Sequence, residues 1–537
     1  MSSGLLERML ESWLTSLRER GQLDVSFRAL LQTAGFEPLG RKTTHGPLEF
    51  GKDVAAWKPS ERVLYLFQLK AGDVAPSDWS DMQTQLQQLV LVPYDHPNYA
   101  VGDPFVPVWV CSGEMTPTVK AMLAQQNEAY RKEGRAAVLV WERPKLISMF
   151  REHLFAVHAI DVRSAIEHIR IWTRLTSYDA DKDDLRDFYR AYLSQWDSLR
   201  GKDHSRLLCA YIVCMAQFAQ RYLRLDDPYS AADCVVLGSV RLFELMARKR
   251  LAPKSRDTIV QSCRWLLVEY LDVVTERVSS LGERPDLWRS DGGLSEVFEY
   301  PLRIHSICSK LVLSAFIKEQ LGLDVSQECK LLGATMRHNQ TFAHLLSERQ
   351  AGTLVVALLG LIRYGYRDLA IQMLCAAWRW LTPLFGHPDL LGLPSPYQPL
   401  ESIPDHWLRT APEGSEHENE AAGAHSCLLV PLLNLAVRLG QKGAVEKAWP
   451  RISRISLEKY VPADEGDLYA YLPEGGQTRS RIYPATHSWQ ALDKEASVRP
   501  DKKLLRLARQ YPESLLLLSL AYPWRACYCE PSLYCRI

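Results

Sequence analysis

The character of this chain changes near residue 157, and that change limits what it can fold into. Before it, short strand-like runs alternate with amphipathic helical segments. After it, text with the period-2 alternation of a β-strand almost disappears, and long segments with helical apolar faces follow one another. At 537 residues the chain is too long for one hydrophobic core, so several domains are expected. The text divides into a domain over 1–155, a helical domain over 156–384, a loop or flexible insertion over 385–423, and a C-terminal helical domain over 424–537.

In the first part, Leu5, Met9, Leu10, Trp13, Leu14 and Leu17 recur at helical spacing. Asp24 or Ser26 is placed to cap a second helix through Phe27, Leu30 and Leu31 that stops near Gly35. Three strand-like runs follow, about 36–44, about 48–57 and about 62–70. Lys58-Pro59-Ser60-Glu61 makes a tight turn, so the last two runs pair as a hairpin. Then come a helix from Ser77 or Asp78 to about Val92, carrying Met82, Leu86 and Leu89 on one face, and a buried strand over Val106–Cys111. A helix from Thr116 to Lys132, a buried strand over Ala136–Trp141 and a helix from Pro144 to Leu154 complete the series. The order α-βββ-α-β-α-β-α predicts an α/β sandwich around a mixed sheet.

The remainder predicts helices over 162–176, 183–198, 204–224, 228–249, 256–280, 295–322, 327–346, 351–383, 424–439 and 441–455. Segments of this length separated by short polar turns fit an α-solenoid or an irregular helical bundle, with no fixed repeat period. Residues 462–490 read as irregular.

Composition excludes several classes. Apolar residues at 47% and charged residues at 24% are ordinary for a soluble globular protein. No apolar run approaches the ~20 residues that cross a bilayer, and Glu7 and Glu11 interrupt the N-terminal apolar stretch, which spoils a signal-peptide reading. A cytoplasmic protein without a membrane partner is expected. Cys209, Cys214, Cys263, Cys308 and Cys375 lie in apolar helical text and read as reduced core thiols. Cys527, Cys529 and Cys535 form a cluster that could ligate zinc with a fourth ligand from elsewhere. It lacks a CxxC knuckle and a nearby His, so ordinary thiols are the expectation. No GxxxxGK[ST], GxSxG or HExxH is present, so any motor ATPase must be a separately encoded partner.

The chemistry concentrates in Glu49-Phe50-Gly51-Lys52-Asp53 and Gln68-Leu69-Lys70. Metal-dependent phosphodiester hydrolysis needs a divalent cation and an activated water, and an acidic residue on one strand with a second oxygen ligand on its neighbour can hold that cation. A lysine nearby can orient the water or stabilise the charge developing on phosphate. Asp53 and Gln68 stand fifteen residues apart, the separation two short antiparallel strands and a turn require. Gln68 and Lys70 share a face by alternation, and Leu69 points into the core and offers its backbone carbonyl. Hard oxygen ligands favour Mg²⁺ or Mn²⁺ over zinc.

Gly51-Lys52-Asp53 followed by Gln68-Leu69-Lys70 resembles the motif of the PD-(D/E)xK nuclease superfamily, closest to its Mrr-like and Holliday-junction-resolvase-like branches. The resemblance covers roughly residues 1–155 and implies a restriction-endonuclease-like domain that cleaves DNA with Mg²⁺. It implies metal binding by Asp53, metal or water contact by Gln68, and catalysis by Lys70. Members of the family often place a Glu on the first helix, which points to Glu11 and then Glu7. Glu49, four residues before Asp53 on the same face by alternation, is a third choice, and spacing does not separate them. Gln in place of an acid leaves one fewer charge at the metal, so weak metal binding is expected.

Other features have plainer readings. His45 and His96 flank the site in sequence, and loop histidines are more often solvated bystanders. Ser112-Gly113-Glu114-Met115-Thr116-Pro117 joins a strand to a helix whose N-terminus could hold a phosphate, though Thr116 acting as an ordinary cap is the simpler account.

Two functions compete. The first is a DNA endonuclease whose helical region docks, oligomerises or restrains it, an architecture like that of effectors in bacterial anti-phage defence. The second is a catalytically inactive nuclease fold on a helical scaffold, acting as an adaptor for protein or nucleic acid. Residues 1–155 carry 17 Lys/Arg against 18 Asp/Glu, so the basic footprint of a free-standing DNA binder is missing. That balance favours a restrained, partner-dependent enzyme over a freely acting one.

Overall fold

Alternate positions of 63–70 carry Leu64, Leu66 and Gln68 on one face and Tyr65, Phe67 and Leu69 on the other, and both faces are covered. The computed structural model describes residues 7, 10–11, 13–15, 17–39, 52–91, 104–153, 171, 182–198, 202–249, 251, 253–281, 294–386, 393–394, 403, 407, 425–452, 456–460, 462–470, 480–483, 505–522 and 525. The chain divides into two compact units, Met1–Gln217 and Phe218–Ile537.

In the first unit a five-stranded sheet has the order β1 (Glu37–Leu39), β2 (Val54–Lys58), β3 (Val63–Lys70), β4 (Phe105–Cys111), β5 (Leu139–Trp141). β1, β2 and β3 are antiparallel neighbours, whereas β4 joins β3, and β5 joins β4, in parallel. The mixed pattern follows from the connections. The 58–62 turn can only return the chain antiparallel, and Arg62 takes a positive φ of 54° there. The crossovers through helices α2 (Trp79–Leu91) and α3 (Pro117–Lys132) bring the chain back parallel.

Helices cover both faces. α1 (Asp24–Thr33) places Phe27 against Phe67 and Trp141, with ring centroids 5.1 and 6.1 Å away. Full burial of such a side chain stabilises by about 1.5–3 kcal/mol. On the other face Met82 and Leu86 of α2 and Val119, Leu123 and Tyr130 of α3 close over Trp109 and Cys111. α4 (Arg143–Glu152) closes the series.

Details depart from expectation. Neither Asp24 nor Ser26 caps α1: the helix is entered from a π-helical turn over Glu19–Leu23, and Ser26 is wholly buried. β1 and β5 are three residues each, and Leu139 of β5 is exposed, because an edge strand has one neighbour and less cover. Thr116 does cap α3, accepting from the Val119 N–H at 3.5 Å.

The second unit is mostly helical. The Pro228–Arg248 helix packs on Pro253–Ser280, which packs on Leu294–Gln320, as neighbours in sequence should. The C-terminal helix Glu513–Ala521, however, packs on Pro228–Arg248, Leu294–Gln320 and Ala351–Arg363. In a solenoid each repeat touches only its neighbours, so this return contact makes a bundle. The single helix expected over 351–383 is two, Ala351–Arg363 and Arg367–Gly386. Gly365 at φ +87° breaks it, a conformation that a side chain would strain.

The C-terminal part, expected to be helical, also holds a small sheet: β6 (His425–Ser426) parallel to β7 (Ser456–Tyr460), and β7 antiparallel to β8 (Ser480–Tyr483). Strands this short give little alternation to read, and their stability comes from partners far away in sequence. Among the described residues no helix is long and apolar enough to cross a membrane. The described cysteines form no disulfide, and Cys527, Cys529 and Cys535 lie outside the described residues.

Candidate functional site

The site begins where the β2–β3 ladder ends. Asp53 precedes β2, and its N–H donates to the Phe67 carbonyl at 2.9 Å, extending the ladder by one residue. Its carbonyl accepts from the Arg28 guanidinium at 2.9 Å. Its Oδ2 accepts from Gln68 Nε2 at 2.6 Å and from the Leu69 N–H at 2.7 Å. Asp53 is therefore held through backbone and side chain together, by β3 and by α1.

Phe67 turns its carbonyl towards β2, and polar backbone groups of a strand repeat every second residue, so those of Leu69 open to the same side. The contact Leu69 makes with Asp53 is through its N–H, while its side chain is buried. Leu64 and Leu66 pack with Leu89 of α2, which sets the face that Gln68 and Lys70 share. Gln68 is buried, and its Oε1 has no hydrogen-bond partner among the described residues. Lys70 is half-buried, and no described residue pairs with its ammonium.

Lys52 crosses to α2, where its Nζ donates to the Gln88 carbonyl at 3.1 Å. Burial pushes its pKa down to about 8, because a low-dielectric setting disfavours the charged amine.

Beyond Lys70 the loops after β3 and β4 are joined. The Lys70 carbonyl accepts from the Ser112 N–H at 3.0 Å, and the Gly72 N–H donates to Ser112 Oγ at 2.8 Å. Val74 and Thr116 continue the join: the Val74 N–H donates to the Glu114 carbonyl at 3.0 Å and the Thr116 N–H to the Val74 carbonyl at 3.1 Å. Gly113 has no room for a side chain, since a Cβ there would lie 2.3 Å from the Asp73 nitrogen. Arg143 clamps the join with its guanidinium on Asp73 at 2.7 Å, on Glu11 at 2.9 Å and on the Ser112 carbonyl at 3.3 Å.

Asp53, Gln68 and the Leu69 backbone thus come together, and Lys70 follows on the Gln68 face. Glu11 and Glu7 are not brought to Asp53 by any described contact: Arg143 engages Glu11, and Arg151 engages Glu7 at 2.9 Å. Glu49, His45 and His96 lie outside the described residues. Among the described residues no group of three His, Cys, Asp or Glu side chains could hold a metal ion. Asp53 and Gln68 nonetheless carry the hard oxygens that Mg²⁺ or Mn²⁺ takes, a carboxylate and an amide oxygen, although it is the amide nitrogen of Gln68 that faces Asp53 and Oε1 that is left without a described partner.

Sequence reasoning passed over Arg28, Asp73 and Arg143, and gave Lys52 no role beyond its place in the motif. Arg28 left a faint signal, a cation beside Phe27 on the apolar face of α1. Arg143 left none, because its partners are 70 and 132 residues away. Comparison with known proteins finds no matching family model, curated protein or solved structure.

Proposed function

We propose that the N-terminal unit is a divalent-metal-dependent nuclease acting on DNA, with the helical remainder docking or restraining it, as in an effector of bacterial anti-phage defence. The observation that carries this reading is the meeting of Asp53, at the entry to β2, with Gln68 of the paired strand β3 at 2.6 Å, with Lys70 two residues further on. Asp53 and Gln68 would hold Mg²⁺ or Mn²⁺, which when bound supplies Lewis-acid stabilisation of the phosphate and a more acidic water. Lys70, half-buried and unpaired with any described residue, supplies positive charge where negative charge develops on phosphate. Arg28 and the Leu69 N–H hold Asp53 in place, so the carboxylate needs little reorganisation.

The test is Mg²⁺- or Mn²⁺-dependent cleavage of plasmid DNA by the purified chain. Asp53→Ala should abolish it and Lys70→Ala should lower it on the order of 100-fold, and cleavage at the wild-type rate in both variants sinks the assignment.

One observation favours a second reading, an inactive nuclease fold used as an adaptor. Asp53 is the one carboxylate in described contact with Gln68, while Glu11 and Glu7 are spent on arginines. DNA retention in a gel without cleavage, unaffected by metal, would select that reading.

A further inference from the structure

A buried amide has a donor end and an acceptor end, and leaving either unmet is costly. Gln68 is 6% exposed, yet only its donor end is met by described residues: Nε2 reaches Asp53 Oδ2 at 2.6 Å while Oε1 is unpartnered. The orientation follows from chemistry. An ionised carboxylate only accepts, so the atom facing it at that distance is the NH2 nitrogen.

This is the reverse of what a cation requires. A hard divalent ion beside Asp53 needs the amide oxygen, whereas the structure turns the amide's partial positive charge towards the carboxylate. We propose that Gln68 is a latch: it occupies Asp53 in the metal-free state, and its amide must turn over, carrying Oε1 towards Asp53, before the two side chains hold a divalent cation together.

The latch rests on the metal-dependent reading above and deepens it by naming how that site is regulated. Asp53 keeps its Leu69 and Arg28 contacts throughout, so the rearrangement is confined to one side chain. Metal binding satisfies the orphaned oxygen and at the same time breaks the hydrogen bond to Asp53, so the two effects oppose each other. The site should therefore stay empty at low metal concentration and fill only when cation or substrate phosphate tips the balance.

The experiment uses the full chain in two arms. Calorimetric titration with Mn²⁺ compares the wild type with Gln68→Glu, which removes the donor and offers oxygen at both ends. The expected result is at least a tenfold gain in affinity. The second arm separates released latch from added charge and does not depend on how the variant folds. In wild-type protein labelled with ¹⁵N-glutamine, saturating Mg²⁺ should move the Gln68 side-chain NH2 signals away from their hydrogen-bonded position. Tight Mg²⁺ binding with those signals unchanged overturns the latch and leaves the metal site standing, as does a Gln68→Glu variant that binds Mn²⁺ no better than wild type. No Mn²⁺ binding by either protein overturns the metal-dependent reading as well.

Discussion

Arg28 donates to the Asp53 carbonyl at 2.9 Å, so a helix that carries no catalytic candidate fixes the backbone of the residue on which the site depends. A guanidinium is an effective anchor because it stays charged at any accessible pH and presents a rigid set of donors. Arg28→Met should destabilise the first unit by about 1–3 kcal/mol, the cost of leaving a part-buried carbonyl unmet. Urea denaturation measures it, and an unchanged midpoint would show that the contact is ornamental.

The join between the loops after β3 and β4 depends on Gly113. A methyl group there would lie 2.3 Å from the Asp73 nitrogen and from the Gly72 carbonyl carbon, both backbone atoms that cannot swing aside. Gly113→Ala should cost about 1–3 kcal/mol or more by overpacking. It should also lower cleavage, since Lys70 sits two residues before Gly72. Thermal denaturation and the plasmid assay read the two effects separately.

Asp53 and Lys70 should part company when binding and chemistry are measured apart. Asp53→Ala should lose Mn²⁺ binding in calorimetry. Lys70→Ala should keep that affinity, yet lower cleavage on the order of 100-fold, the usual scale for losing one charge-stabilising group. Equal loss of metal affinity in both would mean that Lys70 is structural.

His305, in the second unit, predicts acid sensitivity. Its ring stacks on Phe342 with centroids 4.0 Å apart, and Nε2 donates to the Phe342 carbonyl at 2.7 Å. Burial pushes its pKa down from 6.5 to about 3, so the folded form holds it neutral. Between these values the unfolded chain binds a proton that the folded chain refuses. The stability is thus complete above pH about 6.5 and falls as pH drops below it, by at most about 1.4 kcal/mol per pH unit. His305→Gln, compared with wild type by urea denaturation at pH 7.5, 6 and 5, should show a shallower decline; parallel declines would contradict this account.

Arg264 and Glu513 form a buried ion pair at 2.7 Å that ties the C-terminal helix to the Pro253–Ser280 helix. Removing one partner strands a buried charge, so Arg264→Leu should cost about 3–5 kcal/mol. Arg264→Met combined with Glu513→Leu should recover most of that loss. A double variant as unstable as the single one would show that the packing, and not the charge, was lost.

Much of the first unit was legible because its signals are local. The turn at Pro59, the alternation through Leu64, Leu66 and Gln68, and the helical spacing of Met82 and Leu86 each arise within a few residues. They placed the hairpin and the helix crossing over it. The π-helical entry to α1 was not legible, because Asp24 and Ser26 look like caps whether or not the preceding turn leaves them that role. Nor were β6, β7 and β8, whose ladder joins segments that share no local pattern.

By itself the sequence determined that Asp53 and Gln68 come together across a hairpin, Asp53 at the entry to its first strand, and that Gln68 and Lys70 share a face, because strand period and turn length are set by covalent geometry. Where Glu7 and Glu11 go was decided only by tertiary structure. Glu7, Glu11 and Asp73 are chemically interchangeable as carboxylates, and their assignment to Arg151 and Arg143 depends on where separately folded segments come to rest. The direction of the Gln68 amide was decided there too, since only the packed site shows a carboxylate at one end and an orphaned oxygen at the other.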